Sequence, residues 1–432
     1  MQTLCYTSPR SPLPLRMCWL WLLLGCRVGL FSQTPCAADV LHALYMTEDS
    51  TYRTAHAQME DYMWQRAKAL KNGGHEFAGG PLVLPVVVHV VHQNGPENLS
   101  DAQVEAAIAQ LNAAFAHNGY FAQQGPGSDA LIQFCLAKQG PDGLLSTGIT
   151  RTASPLTDVV LETQDLQLKD LARWNPFRYI NIWVVRNVIS LSAGNGVAGY
   201  AYLPAAHGLD YDGIVVEASG LGASPAGVSS LAHEMGHYLG LYHTFEGGCA
   251  NADCLTDGDR VCDTPPDRAT SVACAFNSCA TDADDASANN PFTTDVDDAG
   301  WNLMDYSPQP CYSGFSAGQG VRMRAAAEGS RKSLLLSKGC QEPCPLNGLN
   351  AAFALADSSV LAGTALVFTN LSSGATQFAW YDGNVLISNA QTPPPYTPPA
   401  TGIRTLRLVV NNGDPRCKDS TQVLVSVACD IT

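Results

Sequence analysis

The stretch HEMGHYLGLYH, residues 233–243, restricts the possible folds of this chain more than any other. His233 and His237 stand four apart, so on a helix both imidazoles fall on one face, one turn above the other. Glu234 sits between them on the neighbouring face. Gly240 tolerates the positive φ that a sharp turn needs, and that turn brings His243 round as a third nitrogen donor. Three imidazoles leave one position of a tetrahedral zinc ion open, the arrangement of a catalytic rather than a structural site. Zinc lowers the pKa of a bound water to about 7. Glu234 stands where it can take that water's proton and hand it to a leaving amine. The pattern therefore predicts amide hydrolysis without a covalent intermediate.

The same stretch, followed by HTF (residues 243–245) and by NLMDYS (residues 302–307), resembles the pappalysin-like metzincins. Among them the resemblance is to the cytophagalysin and ulilysin branch, over roughly residues 82–335. It implies a zinc endopeptidase with an α+β metzincin catalytic domain, a mixed twisted sheet plus the zinc helix. It also implies a methionine turn at Met304 beneath the metal, with a catalytic Tyr306 reaching toward it. GDRVCDTPP is similar to the family's GDxVxDTP segment, near which relatives bind calcium. Asp257, Asp259 and Asp263 are the candidate Ca²⁺ ligands, because hard carboxylates suit that ion. Metzincins use a pro-segment cysteine as a latency switch on the zinc. Cys36 is the candidate here, with a disulfide-forming or idle cysteine as the other reading. Relatives that prefer Arg or Lys after the cut carry acids beyond the methionine turn, as in MDYTDDxC. This chain reads MDYSPQPC, with Pro308, Gln309 and Pro310 in their place, which predicts loss of that strict preference.

Composition narrows the class. The 432 residues suffice for two or three domains, and 46% hydrophobic against 15% charged residues is a globular balance. The net charge of −15 excludes nucleic acid as an expected partner, and 24 Lys and Arg argue against attachment to anionic membranes. Fifteen cysteines, six of them between Cys249 and Cys311 and lacking CxxC pairs, read as disulfides of an oxidising compartment. The family suggests one bridge within Cys249 to Cys279 and another reaching Cys311.

Along the chain, Arg10 and Arg16 precede CWLWLLLGC, too short for a membrane span, so residues 1–33 read as a secretory signal. Lipidation at Cys26 is the alternative, and Met17 is an alternative start. Residues 34–80 read as a helical pro-segment ending in glycines. PLVLPVVVHVVH (residues 81–92) predicts a buried strand, followed by a helix capped by Ser100 or Asp101. IQFCLA (132–137) and YINIWVV (179–185) are further strands, with His89 and His92 as core or surface residues rather than ligands. GYAYLP (199–204) corresponds to the strand that borders the family's cleft, an edge with which an extended peptide can pair; DGIVVEA (212–218) comes next. Ser224 and Pro225 suit a helix start. The acidic run 281–298 reads as a solvated loop, and residues 315–328 as the closing helix. The zinc protease domain is thus 81–339, followed by a linker at 340–349. Short alternating strands in 350–432 predict an all-β Ig-like sandwich. Its FTNLSSGATQFAWYDGN resembles a PKD domain and suggests contact with matrix or a cell surface.

A secreted zinc endopeptidase acting on protein or peptide, with Zn²⁺ and a candidate Ca²⁺ as cofactors, is the expectation. The competing reading is a zinc-binding adhesin or inactive homologue in which the sandwich carries the function; the presence of Glu234 speaks against it. An exopeptidase would need a charged group near the cleft, which sequence does not reveal.

Overall fold

The computed structural model describes residues 36–73, 80–192, 194–221, 227–268, 273–344, 349–414 and 416–429. The expected leader, the glycines at 74–79 and Ser224–Pro225 lie outside them. The chain enters through two helices, Ala38–Glu48 (α1) and Ser50–Gly73 (α2). The β-branched run then forms one long strand, Leu82–His92 (β1), buried on both faces from Leu84 onward. Such two-sided burial is the mark of a central strand in a largely parallel sheet. Ser100 caps the next helix, Asp101–Phe115 (α3). Its side chain accepts from Gln103 N–H while the Gln103 side chain accepts from Ser100 N–H, a reciprocal cap that stabilises a helix start by about 1 kcal/mol. Val104, Ile108, Leu111 and Phe115 make the apolar stripe of α3 and pack into the main core.

A short helix, Tyr120–Gln124 (α4), leads to Ile132–Leu136 (β2) and Ile149–Ala153 (β3). Both pair in parallel with β1, β2 along its first half and β3 along its second. Asp158–Val160 (β4) and Leu161–Leu171 (α5) precede Ile180–Val185 (β5), which pairs in parallel with the other side of β1. Asn187–Ser190 (β6) and Gly194–Val197 (β7) join β4 in a small side sheet. Gly199–Ala201 (β8) and Ile214–Glu217 (β9) complete the main sheet in the order β2-β1-β5-β9-β8. Only β8 runs antiparallel to its neighbour, and it is an edge strand of the sheet. His89 is a core residue, held between Thr150 and Asn181; His92 is likewise buried.

Edge strands are held weakly by backbone alone. Here the interior side of β8 is tied down by side chains: Tyr200 and Tyr202 hydroxyls both donate to Asp165 at 2.7 Å. Asp165 also pairs with the fully buried Lys169 at 2.8 Å, and Lys169 donates to Tyr211 O. A fully hydrogen-bonded buried network of this kind specifies one arrangement more than it adds stability.

Ser229–Tyr238 (α6) carries the first two histidines of the motif, and Ala317–Glu328 (α7) closes the region, capped by Ser316 and Gln319. Residues 246–300 contain no helix or strand among those described. Cys249–Cys279, Cys254–Cys262 and Cys274–Cys311 hold them, so both suggested bridges are present. The run 281–298 is mostly exposed, as expected of a solvated loop, but Asp282, Asp285 and Asp298 within it are buried. They accept from the backbone N–H groups of Val296, Cys254 and Ser278. Backbone donors with no ladder to join need other acceptors, and these carboxylates supply them.

Cys135–Cys340 fastens the end of this region to β2, and Cys344–Cys417 ties the linker to the C-terminal strands. Those strands form a sandwich of two sheets. Phe353–Leu355 (β10) pairs with Phe368–Asn370 (β12), and the larger sheet has the order β11-β16-β15-β13-β14. Its strands are Ser359–Leu361 (β11), Gln377–Asp382 (β13), Val385–Ser388 (β14), Gly402–Asn411 (β15) and Lys418–Ala428 (β16). Phe353, Phe368, Trp380, Leu406, Leu408 and Val410 fill its core. Among the described residues, no helix is long and apolar enough to cross a membrane.

Candidate metal centre

Helix α6 is buried along its whole length, and it ends where glycine allows it to. Gly240 has φ 92°; its N–H donates to His237 O, and Leu241 N–H donates to Gly236 O. This paired C-terminal cap reverses the chain. The reversal brings His243 back toward His233 and His237. The three Nε2 atoms lie 3.1–3.2 Å apart. His233 Nδ1 lies 2.7 Å from Leu303 O and His237 Nδ1 lies 2.8 Å from Leu241 O. A carbonyl demands a donor, so each Nδ1 carries the proton and each Nε2 presents a lone pair. Three converging lone pairs need a cation between them. Four-coordinate zinc with nitrogens at 2.0–2.1 Å places them about 3.3 Å apart, so the donor set fits zinc. Burial, followed by the neighbouring histidines, lowers the pKa of His233 well below the usual imidazole value. Burial followed by His243 brings His237 to about 3. Both rings are thus kept neutral, the form that binds metal.

Glu234 is fully buried, and among the described residues neither carboxylate oxygen has a hydrogen-bond partner. Burial, followed by the Asp39 charge, pushes its carboxyl well above the ordinary range. It lies against the edge strand: a Cβ on Gly199 would stand 3.1–3.2 Å from Glu234 Cγ and Oε1, and 2.7 Å from Val215 O. Glycine at 199 is what leaves room for the carboxylate.

The expected methionine turn packs against helix α6. Met304 is fully buried, and its sulfur would stand 2.5 Å from a Cβ at Gly236. Leu303 O holds His233, and Met304 O accepts from Thr244 N–H just after His243. The turn is therefore bonded to segments at both ends of the histidine motif. Asn302 Oδ1 accepts from Met304 N–H, and its amide pairs with Gln319 on α7. Tyr306 places its ring 4.9 Å from that of His243, and Phe245 stacks on His243 at 4.7 Å.

The fourth group at the centre comes from the chain's N-terminal part. Cys36 Sγ lies 3.3 Å from both His237 and His243 Nε2. Its N–H donates to Tyr306 Oη at 2.8 Å, and Ala37 N–H donates to Gly199 O. Asp39 Oδ2 lies 2.9 Å from His243 Nδ1. Burial, then Glu234 and Asp39, push the Cys36 thiol up, so a cation among the imidazoles is what would favour its thiolate.

Other expected residues are not brought together. Asp257 accepts from Ala252 and Asp253 N–H, and Asp259 from Thr264 Oγ1 and Val261 N–H. Asp263 caps the start of α7 through Ser316 Oγ and Gly318 N–H. Burial pushes Asp259 up to about 8. Among the described residues these three carboxylates form no common group with metal-ligand spacing. Sequence reasoning missed Asp39, Gly199 and the Asn302–Gln319 pair. Only Gln319 had a readable signal, the Ser316-x-x-Gln319 cap, because the others act across distant segments.

This geometry has relatives. Residues 162–328 match the peptidase M43 family model described as pregnancy-associated plasma protein-A. An extracellular metalloprotease of Verticillium alfalfae is 29% identical over 278 residues, 60% of this chain and 81% of the relative. One of Pyricularia oryzae is 27% identical over 270 residues, 60% of this chain and 79% of the relative. Mature mirolysin of Tannerella forsythia in complex with a cleaved peptide is 28% identical, with a TM-score of 0.50, over 62% of this chain and all of its own. A promirolysin mutant from the same organism is 25% identical, with a TM-score of 0.55, over 72% of this chain and all of its own. The converging histidines, the methionine turn beneath them and these similarities identify the chain as a pappalysin-like metzincin, a zinc metalloendopeptidase.

Proposed function

We propose that this chain is a secreted endopeptidase made in latent form. In this reading His233, His237 and His243 hold the zinc, Glu234 is the general base, and Cys36 is the latency ligand. The observation that carries it is the convergence of three lone-pair nitrogens beside a fully buried, unpartnered carboxylate. Bound zinc supplies Lewis acidity, polarising the scissile carbonyl and making water acidic near neutral pH. Glu234 takes the proton from the attacking water and passes it to the departing amine. Once Ala37 has left it, the backbone edge of β8 aligns the peptide, and Tyr306 Oη donates to the oxygen on which charge develops.

Latency arises from the same contacts. Cys36 takes the open position, its backbone occupies Tyr306 Oη, and Ala37 pairs with Gly199 on the edge strand. The promirolysin similarity covers 72% of this chain against 62% for mature mirolysin, which supports reading residues 34–80 as a pro-segment. The extracellular relatives and the five disulfides support secretion, with residues 1–33 as signal and 81–339 as the protease domain. Residues 350–432 act as a matrix-contacting or spacer module. With Pro308, Gln309 and Pro310 beyond the methionine turn, the enzyme does not require Arg or Lys after the cut. The test is metal exchange: a chelator should abolish casein cleavage by the processed protein, and one equivalent of zinc should restore it. Full activity in the zinc-free protein would overturn the reading.

A further inference from the structure

Far along the pro-segment, α2 makes a polar contact with the protease domain, through Glu60, that latency through Cys36 does not require. Glu60 is reached by three donors from three separate segments. Arg260 Nη1 lies 2.5 Å from Oε2, Arg322 Nη2 lies 2.6 Å from Oε1, and Tyr242 Oη donates to Oε1 at 2.9 Å. The two guanidiniums flank the Tyr242 ring at 5.0 and 5.2 Å from its centroid. Arg322 is held in place by its Nε, which donates to Gly240 O at 2.8 Å, on the turn that delivers His243. Arg260 has φ 62°, a left-handed backbone that non-glycine residues adopt mainly where surrounding structure enforces it. Among the described residues, Glu60 is the only carboxylate within ion-pair range of either arginine.

These donors belong to the protease domain, and the acceptor belongs to the segment read as its pro-segment. We propose that Tyr242, Arg260 and Arg322 form a carboxylate-binding site. Glu60 fills it in the unprocessed chain, and an acidic side chain of a protein substrate takes it once the pro-segment has left. The second half of this rests on the zymogen reading above. The physical reason is charge. Two guanidiniums fixed around one aromatic ring repel each other, and charge-assisted hydrogen bonds to a shared carboxylate relieve that repulsion. Burial raises the Glu60 proton affinity, yet Arg322 and Arg260 outweigh it and hold the carboxyl below its usual range, so the group is bound as the anion. Because Tyr242 immediately precedes His243, the site lies one residue from the metal centre.

The test begins with the full-length chain and a small probe. In Glu60→Ala the pocket is vacated while the rest of α2 remains tethered. Acetate should raise the melting temperature of that variant by a few degrees in a saturable way, beyond chloride at equal ionic strength. Wild type, whose pocket is filled, should show no such rise, nor should the Glu60→Ala, Arg260→Gln double variant. Equal responses to acetate and chloride, or a response that survives Arg260→Gln, would overturn the site. Its use on substrates is tested by peptide-library cleavage with the processed enzyme. Asp or Glu should be enriched severalfold at one fixed distance from the scissile bond, and Arg260→Gln should erase that enrichment. A flat profile with the acetate response intact would overturn the substrate role. Cys36→Ser separates this from the latency reading: if thiol latency is wrong, that variant stays as inactive as wild type while the acetate response of Glu60→Ala persists.

Discussion

The protease region and the C-terminal sandwich bury their polar groups in opposite ways. In the sandwich, Asp382 is the only buried carboxylate among the described residues, and it is fully engaged by Arg404 and Tyr396. Around it lies an aromatic and aliphatic core. The protease region buries five imidazoles, those of His89, His92, His233, His237 and His243, leaves both oxygens of Glu234 unpartnered among the described residues and encloses Lys169. An unsatisfied buried polar group costs about 1–3 kcal/mol. Single buried atoms elsewhere in the protease region, such as Glu97 Oε2 and Asp298 Oδ1, are also unpartnered, but among the described residues Glu234 alone leaves both carboxylate oxygens so. The difference separates the part that acts from the part that supports, independently of any motif.

The largest effect should come from Glu234→Gln, which keeps the shape and removes the base. We expect kcat/KM on peptides to fall by about 10³-fold or more, with zinc content and melting temperature nearly unchanged. Undiminished cleavage would mean that the orphaned carboxylate is not the mark of chemistry. Next in size is Cys36→Ala. In the unprocessed chain it should raise peptide cleavage by about tenfold or more, the factor that about 1.4 kcal/mol of docking represents. A chain as inactive as wild type by fluorogenic peptide assay would assign latency to other contacts.

A smaller effect concerns pH. His56 on α2 pairs with Tyr242 Oη at 2.8 Å and faces His42, Tyr52, Glu60, Arg260 and Arg322. Burial, then the neighbouring His42, lowers its pKa from 6.5 to about 4. The released segment therefore binds a proton more readily than the docked one. Docking is full above about pH 6.5 and weakens as the pH falls toward 4. Cleavage of α2 by an added protease should rise across that window, and His56→Gln should flatten the rise. An unchanged profile in the variant would exclude His56 as the cause.

The smallest expected effect is that of removing the sandwich. Truncation after residue 341 keeps Cys340 for its bridge to Cys135 and deletes both cysteines of Cys344–Cys417. Cleavage of short peptides by the processed enzyme should stay within about twofold, a change below 0.5 kcal/mol. A folded truncation that cannot cleave peptides would erase the contrast between the two regions.

Much of this was legible in the chain itself, because it depends on spacing over a few residues. The four-residue step from His233 to His237, the glycine at 240, the Ser100 cap, the β-branched strand and the alternating C-terminal strands are local patterns. Helix period, strand period and backbone freedom translate them directly. Other features depended on which distant segments meet. Cys36 was an ambiguous lone cysteine until folding carried it more than 200 residues along the chain to the imidazoles. Three of the acids expected in solvent at 281–298, Asp282, Asp285 and Asp298, turned inward because an irregular backbone needed acceptors. Glu60, Tyr242, Arg260 and Arg322 have no common motif, yet four segments deliver them to one point. Local periodicity determined the helix, the strands and the metal-binding spacing. Only long-range packing, through the positions it forces on buried charge, decided what fills the open site and which carboxylate meets which arginine.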